Sequence, residues 1–281
     1  MKKKILIPLL FAAFSCSAYA QMEVNVTNAT ELVKALGPER TIVMQAGTYM
    51  LNDAVGITSD HVSWNEQFDG SELVITSVNN LTIKAKGKVS IIATPRYAWV
   101  MMFYYSDNVT IEGITAGHLE SGYCTGGVFG FDHCRNVVIS NCDLYGSGTE
   151  GISASQCENF SVSSCVIHDC TYDLISLYNC SNFSFSSCKF LKTGEFDLVT
   201  LSECKNISFT KSIFSENYNG EFMPYLFSVM SSENVSLTKC KVINNKVRKF
   251  TNDIHALKIS SCKFSGNNFL DYTDDYLSKK K

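Results

Sequence analysis

Three carboxylic acids occupy the same position in successive copies of a sequence repeat. Seven residues before the first cysteine of each copy, or before the serine that replaces it, stand Trp99, Gly127, Glu150, Asp173, Asp197 and Tyr225. If the copies stack at the usual strand spacing of about 4.8 Å, the three acids share one groove. Carboxyl groups that close raise one another's pKa or require a cation. Because hydrolysis of a glycosidic bond uses one protonated and one ionised carboxyl group, Glu150, Asp173 and Asp197 are candidate catalytic residues.

Two further residues are expected at the edge of this groove. His168 and Tyr172 precede Asp173 by a few positions, and either could act as the base of a lyase. Lysis would also require a cation, for which Ca²⁺ held by the acids is the candidate. If the reaction is hydrolysis, acids on adjacent turns would suit the separation of about 5 Å in retaining enzymes. Acids on alternate turns would suit the wider separation of inverting enzymes.

Four residues are candidates for substrate binding. Tyr104 and Tyr178 belong to an outward-facing column on the adjoining strand, where exposed tyrosine rings could stack on sugar rings. His118 and Tyr145 come from neighbouring turns that approach the acids. Each observation also has a purely structural interpretation. Acids at the solvated mouth of a turn destabilise a fold little, and exposed aromatic residues occur on proteins that bind no ligand.

The repeat itself predicts the fold. An asparagine returns at positions 80, 108, 136, 159, 182, 206 and 234, at intervals of 23 to 28 residues. A period in this range is typical of solenoids, in which each repeat buries its apolar face against its neighbours. Apolar residues at one and three positions after each asparagine, and a second alternating run before it, indicate three short strands per turn. We therefore expect an all-β, right-handed parallel β-helix of eight to ten coils, with the asparagines stacked inside a turn.

The repeat resembles that of a known superfamily. The pattern Cys/Ser-x-Asn-Val-x-Ile-x-x-Cys-x-Ile is similar to the pectin-lyase-like β-helix superfamily of pectate lyases, polygalacturonases and related proteins, over residues 24–265. The segment Thr149-Glu150-Gly151-Ile152 resembles the Asn-Thr-Asp-Gly-Ile element of polygalacturonases, and Asp173 stands where their next acid falls. Gly148, Glu150 and Tyr172 depart from that pattern. The resemblance implies a scaffold and the position of a site, and does not imply polygalacturonase activity.

The ends of the chain have their own signatures. Residues 1–20 have the basic start, apolar run and small-residue ending of a secretory signal peptide, which predicts a secreted or periplasmic protein. Lipid attachment at Cys16 is the alternative. Residues 21–50 should form an N-terminal cap and first coil, with a helix from Asn28 to Leu36. The coils should fill residues 51–265, interrupted by a long loop at 52–72. Residues 266–281 should form a C-terminal cap or tail.

Cysteines follow the repeat and not a disulfide pattern. Two columns recur, one containing Cys134, Cys157, Cys180 and Cys204 and the other Cys142, Cys165, Cys188, Cys240 and Cys262. Side chains stacked on successive turns run parallel, whereas the two halves of a disulfide must converge. We therefore expect two ladders of free, buried thiols. Cys124 and Cys170 lie outside both ladders and are the residues most suited to pair or react.

Charge limits the possible partners. The formal net charge is −3, and it becomes −6 after removal of Lys2, Lys3 and Lys4. An acidic chain without a basic face argues against nucleic acid. The only basic cluster, Lys84–Lys88 with Arg96, could attract an acidic sugar chain. The sequence therefore predicts an exported monomer without a transmembrane segment that binds polysaccharide or acts on it as a lyase or hydrolase. A non-catalytic carbohydrate-binding protein or a structural surface protein is the alternative.

Overall fold

Copies of the repeat form the turns of a parallel β-helix. A computed structural model describes residues 21–119, 126–146, 150–194, 196–219 and 225–280. These described residues complete about seven turns, somewhat fewer than the repeat predicts. The predicted signal peptide, residues 1–20, lies outside the described residues and stays a prediction.

Most of the chain is in short strands. In chain order the strands are β1 (Met22–Val26), β2 (Arg40–Met50), β3 (Val62–Gln67), β4 (Gly70–Thr76), β5 (Asn79–Ala93), β6 (Met101–Tyr104), β7 (Asp107–His118), β8 (Phe129–Asp132), β9 (Arg135–Ser140), β10 (Asp143–Tyr145), β11 (Ile152–Ser155), β12 (Glu158–Ser163), β13 (Val166–His168), β14 (Ile175–Tyr178), β15 (Ser181–Ser186), β16 (Lys189–Leu191), β17 (Val199–Ser202), β18 (Lys205–Thr210), β19 (Ile213–Ser215), β20 (Tyr225–Met230), β21 (Glu233–Thr238), β22 (Lys241–Ile243), β23 (Lys249–Thr251), β24 (Leu257–Ser260) and β25 (Lys263–Ser265). The helices are α1 (Ala29–Ala35), a 3₁₀ turn (Leu51–Ala54) and α2 (Asp274–Lys279).

The strands belong to two sheets. Within the described residues, sheet A has sixteen strands and sheet B has nine. Sheet B follows the order β23-β20-β17-β14-β11-β8-β6-β4-β3, and all its neighbours are parallel except β3 and β4. In sheet A the long strands β2, β5 and β7 bend, and the later turns divide into two shorter strands on either side of the bend. Each complete turn therefore contributes one strand to sheet B and two strand segments to sheet A, as the doubled alternation predicts.

Apolar side chains stack along the inside of the solenoid. Val162, Phe185, Phe209 and Leu237 are adjacent in the register of sheet A and are at most 1% exposed. The rings of Phe185 and Phe209 lie 4.8 Å apart and nearly parallel. Stacking of this kind adds to the free energy gained from burying apolar surface. The predicted interior residues are thus confirmed, including Val109 and Ile139.

Asparagine and cysteine form ladders at the corners. Asn182 and Asn206 have positive φ angles of 60°, a backbone conformation that asparagine tolerates better than most residues. The amide of Asn206 donates to Asn182 Oδ1 at 2.9 Å. This ladder lies on the exposed side of the corner and not inside it. The ladder cysteines are free and, except for half-buried Cys262, buried; the backbone N–H of Cys134, for example, donates to Cys157 Sγ at 3.3 Å. The thiol prediction for the ladders is confirmed, and Cys124 lies outside the described residues.

Helices cover both ends of the solenoid. Asn28 caps α1 by accepting the backbone N–H of Glu31 at 2.9 Å, and Leu32 and Val33 of α1 are buried, as predicted. At the other end Thr273 caps α2, and Leu277 packs inside. These contacts cover apolar surface at the terminal turns. Among the described residues, neither helix nor any other is long and apolar enough to span a bilayer.

The prediction of one long loop over residues 52–72 is wrong. Its second half is strand β3, which pairs antiparallel with β4 and forms the terminal strand of sheet B. Trp64 pairs with Leu73, and its indole N–H donates to the carbonyl of Ile57 at 2.9 Å. The two residues between the strands are Phe68 and Asp69, which are not one of the residue pairs that signal a two-residue hairpin turn in a sequence. The basic residues Lys84–Lys88 lie on sheet A, away from the acid column.

Candidate functional site

The three acids lie in register at the start of three adjacent strands of sheet B. Ile152, Ile175 and Val199 are paired neighbours, and each follows an acid by two residues. Glu150, Asp173 and Asp197 are therefore successive rungs of one column. The two residues after each acid are both buried, so alternation does not set the direction of the acid side chain here. The hydrogen bonds of the acids to serine and threonine hydroxyl groups on the outer face of sheet B place the carboxyl groups on that face. The structure thus brings together the acids that the repeat predicted.

Each acid is hydrogen-bonded to a hydroxyl group of the next turn. Ser153, Ser176, Thr200 and Ser228 form a second column on the outward face of sheet B, in register with one another. Glu150 accepts from Ser153 and Ser176, Asp173 accepts from Thr200, and Asp197 accepts from Ser228. These hydrogen bonds link each carboxyl group to the following turn, and Glu150 has a second hydroxyl partner in its own turn. This hydroxyl column was missed in the sequence, although it follows the same period as the acids.

Asp197 also binds the backbone of the next turn. Its Oδ1 accepts the N–H of Tyr225 at 2.8 Å, and the residue is only 6% exposed. A hydrogen bond from a backbone N–H stabilises the ionised form of a carboxyl group. Asp197 therefore supports the rung that contains Tyr225, and it differs in this respect from its neighbour Asp173.

Burial raises the pKa of all three carboxyl groups. The pKa of Asp173 lies well above its ordinary value, chiefly because of burial and also because of the adjacent charges on Glu150 and Asp197. Burial raises the pKa of Glu150, and the bonds from Ser153 and Ser176 oppose that shift. Burial likewise raises the pKa of Asp197, against the bonds from Tyr225 and Ser228. Asp173, between two other acids, is therefore the carboxyl group of the three that most favours its proton.

Aromatic residues form one side of a groove beside Asp173 and Asp197. The rings of Tyr172 and Phe196 are stacked 3.8 Å apart at 8° to each other. The groove has a volume of about 520 Å³, and its lining includes both rings, both acids, Thr200, Tyr225, Ser228, Met230 and Asn252. Phe196, Tyr225 and Asn252 were not predicted as site residues. Both aromatic residues were recognisable from the repeat, because Tyr225 stands in the acid column and Phe196 directly precedes Asp197 as Tyr172 precedes Asp173.

A tryptophan lies on the same face, toward the N-terminal turns. A Cβ atom at Gly127 would be 2.2 Å from the ring of Trp99, so the indole passes directly over that glycine. Gly127 is the rung next to Glu150 in the acid column. The only residue type without a Cβ atom thus makes room for the indole at this position. Trp99 itself stands two turns from Glu150, and its ring covers the intervening rung at Gly127.

His168 and Tyr145 form a separate cluster. The imidazole Nε2 of His168 is 3.0 Å from Asp143 Oδ1, and its Nδ1 is bonded to Asp169. The Tyr145 ring stacks on the imidazole with centroids 5.7 Å apart. The bond with Asp143, followed in size by that with Asp169, raises the pKa of His168. These residues lie on sheet A strands and do not line the 520 Å³ groove, unlike Tyr172.

The remaining predicted binding residues have different positions. Tyr104 and Tyr178 face outward on sheet B, in one column, and Tyr178 is 47% exposed on the strand that follows Asp173. His118 is 2% exposed, and its Nε2 lies 2.8 Å from the carbonyl of Ala98. Burial lowers the pKa of His118. The substrate-binding role predicted for His118 is therefore not supported, because its imidazole faces the interior and is not accessible to a glycan.

The acids do not converge on a metal position. Across the described residues no group of three or more histidine, cysteine, aspartate or glutamate side chains has a metal-binding arrangement. Stacked carboxyl groups one turn apart, each bonded to a hydroxyl, differ from the six to eight oxygen ligands that surround Ca²⁺. The binding of Ca²⁺ stays a prediction.

The fold identifies the class of protein. The sequence matches the family described as "Right handed beta helix region" over residues 100–269, which is more than half of the chain. The protein belongs to this family. A comparison with curated proteins finds no match.

Several solved structures share the fold. A pectate lyase from Paenibacillus sp. 0602 aligns with a TM-score of 0.63 and 11% identity over 91% of this chain and 79% of its own. An alginate lyase from Paenibacillus sp. str. FPU-7 aligns at 0.60 and 12% identity, over 91% and 97% of the two chains. A polygalacturonase from Erwinia carotovora ssp. carotovora aligns at 0.59 and 13% identity, over 89% and 77%. At these identities the similarity shows the fold alone, and it confirms the pectin-lyase-like scaffold.

Proposed function

We propose that this protein is exported and that the groove beside Asp173 binds a polysaccharide chain and hydrolyses it. One observation carries the proposal. Asp173 is a carboxyl group with a strongly raised pKa, placed between two other acids and beside a stacked aromatic pair. A carboxyl group with a raised pKa keeps its proton to higher pH than an ordinary one and can protonate a leaving oxygen. Carbohydrate-active members of the same fold, named above, are consistent with this function but do not establish it.

In this mechanism Asp173 is the general acid. It donates its proton to the glycosidic oxygen as the bond to the leaving sugar breaks. Asp197 is the second carboxylate, because the N–H of Tyr225 and the hydroxyl of Ser228 favour its ionised form. Backbones on adjacent rungs are about 4.8 Å apart, which suits the spacing of about 5 Å between the carboxyl groups of retaining hydrolases. Asp197 would then form the covalent bond to the sugar, and Asp173 would later activate water.

Tyr172 and Phe196 would hold the chain. A sugar ring presents C–H groups on one face, and an aromatic ring buries that face at little cost in conformational entropy. Tyr225 lines the same groove, and Tyr178 is exposed on the strand that follows Asp173. A groove open along the solenoid axis suits a polymer, because successive sugars can occupy successive turns.

Binding without cleavage is the second candidate. Its support is that every acid is already engaged by a hydroxyl group or a backbone N–H. In addition, the predicted base His168 lies in a separate cluster with Asp143 and Asp169. A protein of this kind would hold a glycan through the aromatic pair while the acids accept hydrogen bonds from sugar hydroxyls.

Screening against purified polysaccharides distinguishes these functions. The protein is incubated with plant, algal and host glycans, with and without Ca²⁺, and the products are measured as new reducing ends and as the ultraviolet absorbance of unsaturated uronates. Hydrolysis predicts reducing ends without that absorbance, and Asp173→Asn should abolish them. Glu233→Gln, a substitution of an exposed acid on sheet A, is the matched control and should leave the rate unchanged.

Other outcomes identify the alternatives. Unsaturated products that form only in the presence of Ca²⁺ would show that the reaction is lysis and not hydrolysis. Binding without any product, weakened by Tyr172→Ala but not by Tyr276→Ala, would establish the binding protein. Tyr276 is a suitable control because it lies in α2, outside the groove. Its ring centroid is 5.3 Å from that of Tyr272. No binding and no product would refute a carbohydrate function for the groove.

A further inference from the structure

Lysines accumulate on sheet A in the last four turns of the described solenoid. The two strand segments of these turns, with the bend between them, span residues 181–191, 205–215, 233–243 and 257–265. They contain one glutamate and seven exposed lysines, at positions 189, 205, 211, 239, 241, 258 and 263. The same segments of the two preceding turns, residues 135–145 and 158–168, contain two acids and one arginine. Sheet A therefore changes from acidic to basic along these six turns.

Five of the lysines form a band along the bend of the sheet. One position of the repeat opens the second strand segment of each turn and holds, as paired neighbours, Lys189, Ile213, Lys241 and Lys263. A second position lies two residues earlier, at the bend itself, and holds Ser187, Lys211, Lys239 and Ser261. Five of these eight residues are lysines, and none is an acid. These five residues are termed the lysine band.

The lysine band is not neutralised by neighbouring acids. Among the described residues of these four turns of sheet A, the one ion pair joins Lys205 to Glu233 at 3.8 Å, outside the band. Lys241 and Lys263 lie side by side in register, about 4.8 Å apart at the backbone. Like charges opposite each other on adjacent strands are destabilising. Anions placed between the ammonium groups would relieve this repulsion.

A column of hydroxyl groups runs beside the lysine band. Its members are paired neighbours that directly precede the bend, namely Ser186, Thr210, Thr238 and Ser260. At the last two turns the column contributes to a groove of about 610 Å³, whose lining also includes His255, Lys258 and Lys280. Ammonium groups bind anions, and hydroxyl groups both donate and accept hydrogen bonds. The surface therefore suits a ligand that carries negative charges and many hydroxyl groups.

The composition of this surface distinguishes between classes of anionic polymer. None of the described residues in the four segments is an exposed aromatic or large apolar residue. Proteins bind single-stranded nucleic acid by stacking bases on aromatic side chains, and surface helices enter a membrane with apolar ones. An acidic sugar chain requires only cations and hydrogen-bonding groups along an extended line. Successive turns of a solenoid supply such a line at the regular strand spacing.

We propose that the lysine band binds an acidic polysaccharide along the axis of the solenoid. The carboxylate or sulfate groups of the chain lie between ammonium groups of successive turns, and its hydroxyl groups bond to the adjacent hydroxyl column. This site lies on sheet A and the groove of Asp173 on sheet B, so the inference does not depend on the function proposed for the groove. Read along the sequence, Lys84–Lys88 was the visible basic cluster, because the repeat distributes the lysine band over four turns.

Binding to immobilised polysaccharides tests this inference. The protein is titrated at low salt onto dextran, dextran sulfate and polygalacturonate, and dextran is the uncharged match of dextran sulfate. At least one acidic polymer should bind more tightly than dextran, and added salt should weaken it. The triple variant Lys239→Gln, Lys241→Gln, Lys263→Gln should bind the acidic polymer about tenfold more weakly, the combined effect of three exposed charges. The Lys→Arg changes at the same three positions should retain the affinity.

Two control variants locate the site. Lys84→Gln with Lys86→Gln and Lys88→Gln removes the same charge from the N-terminal turns of sheet A and should leave the affinity unchanged. Asp173→Asn alters the groove on sheet B and should also leave it unchanged. If either control lowers the affinity as much as the triple variant does, the polymer binds elsewhere and the inference is overturned.

The remaining outcomes are equally decisive. Equal affinity for dextran and both acidic polymers would overturn the inference, as would equal binding of an acidic polymer by the wild-type protein and the glutamine triple variant. DNA or phosphatidylglycerol vesicles that bind more tightly than either acidic polymer, at equal concentration of negative charge, would also overturn it. A preference for dextran sulfate or for polygalacturonate would support it and identify the anionic group as sulfate or carboxylate.

Discussion

The carboxylate of Asp197 accepts the backbone N–H of Tyr225 at 2.8 Å, which joins an acid of the groove to the turn that follows it. Asp173, one rung earlier, receives a side-chain hydroxyl from Thr200. Two acids of the same column therefore have different environments. At Asp197 the hydrogen bonds from Tyr225 and Ser228 oppose the rise in pKa that burial causes, whereas Asp173 lies between two acids and has the pKa that is raised most strongly. This difference is what assigns them separate roles.

Asp173 should make stability depend on pH. Its pKa in the folded protein is well above 3.8, so between that value and the raised pKa the folded state binds more protons than the unfolded state. Stability therefore falls as pH rises through this interval. Urea unfolding at a series of pH values should show this fall, and Asp173→Asn should reduce it. The pKa values of Glu150 and Asp197 are also raised, so part of the fall in stability should remain in the Asp173→Asn variant. Identical pH profiles for the two proteins would contradict the burial of this carboxyl group.

His168 should titrate above its ordinary range. The hydrogen bonds with Asp143 and then Asp169 raise its pKa from 6.5, and the stabilisation they provide is complete below 6.5 and is lost as pH rises through the folded value. Asp143→Asn should lower the pKa of His168 toward 6.5, measured from the imidazole resonances by NMR. Glu158→Gln, at an exposed acid of sheet A, should leave it unchanged. An unaltered pKa in the Asp143 variant would show that this pair does not form in solution.

The ladder thiols should be chemically silent until the protein unfolds. Cys134, Cys157 and their equivalents are buried and free, and their parallel stacking opposes disulfide formation. Alkylation without reductant should label few of the nine ladder cysteines in the native protein and all nine after denaturation, as read by peptide mass spectrometry. Protected ladder cysteines in the denatured protein would indicate disulfides and a different register.

Truncation of the aromatic stack should destabilise the solenoid strongly. Phe185 is fully buried and packs against Phe209 and Phe190. Phe185→Ala should lower the free energy of unfolding by about 3–5 kcal/mol, measured by denaturant titration. Tyr178→Ala removes an exposed ring from sheet B and should change it by less than about 0.5 kcal/mol. Equal effects of the two substitutions would be inconsistent with the interior stack.

The fold was predictable because the residues that determine it recur at a regular interval in the sequence. The spacing of Asn159, Asn182 and their equivalents set the register, and a shift of one residue would turn every apolar side chain outward. The hairpin of β3 and β4 was not predicted, since it occurs once and pairs antiparallel. Its register depends on tertiary contacts such as the bond from Trp64 to Ile57, which leave no repeat in the sequence.

The candidate site was predictable only where it follows the period. Glu150, Asp173 and Asp197 share one repeat position and were found together. Phe196 occupies the same repeat position as Tyr172, directly before an acid, but Thr149 stands there in the preceding copy and Pro224 in the following one, so an aromatic column was not apparent. His118 ends strand β7, and the direction of its side chain depends on packing beneath Ala98 that the alternation does not specify.

The most direct test of the groove is a crystal structure of the Asp173→Asn variant with the oligosaccharide that the wild-type protein binds best. This substitution removes the proposed acid and keeps the shape of the side chain, so the bound oligosaccharide should not be cleaved. We predict sugar rings against Tyr172 and Phe196, and a glycosidic oxygen within hydrogen-bonding distance of the side chain at position 173. A glycan bound only to sheet A, or on sheet B without contact to Asp197 or position 173, would contradict the account.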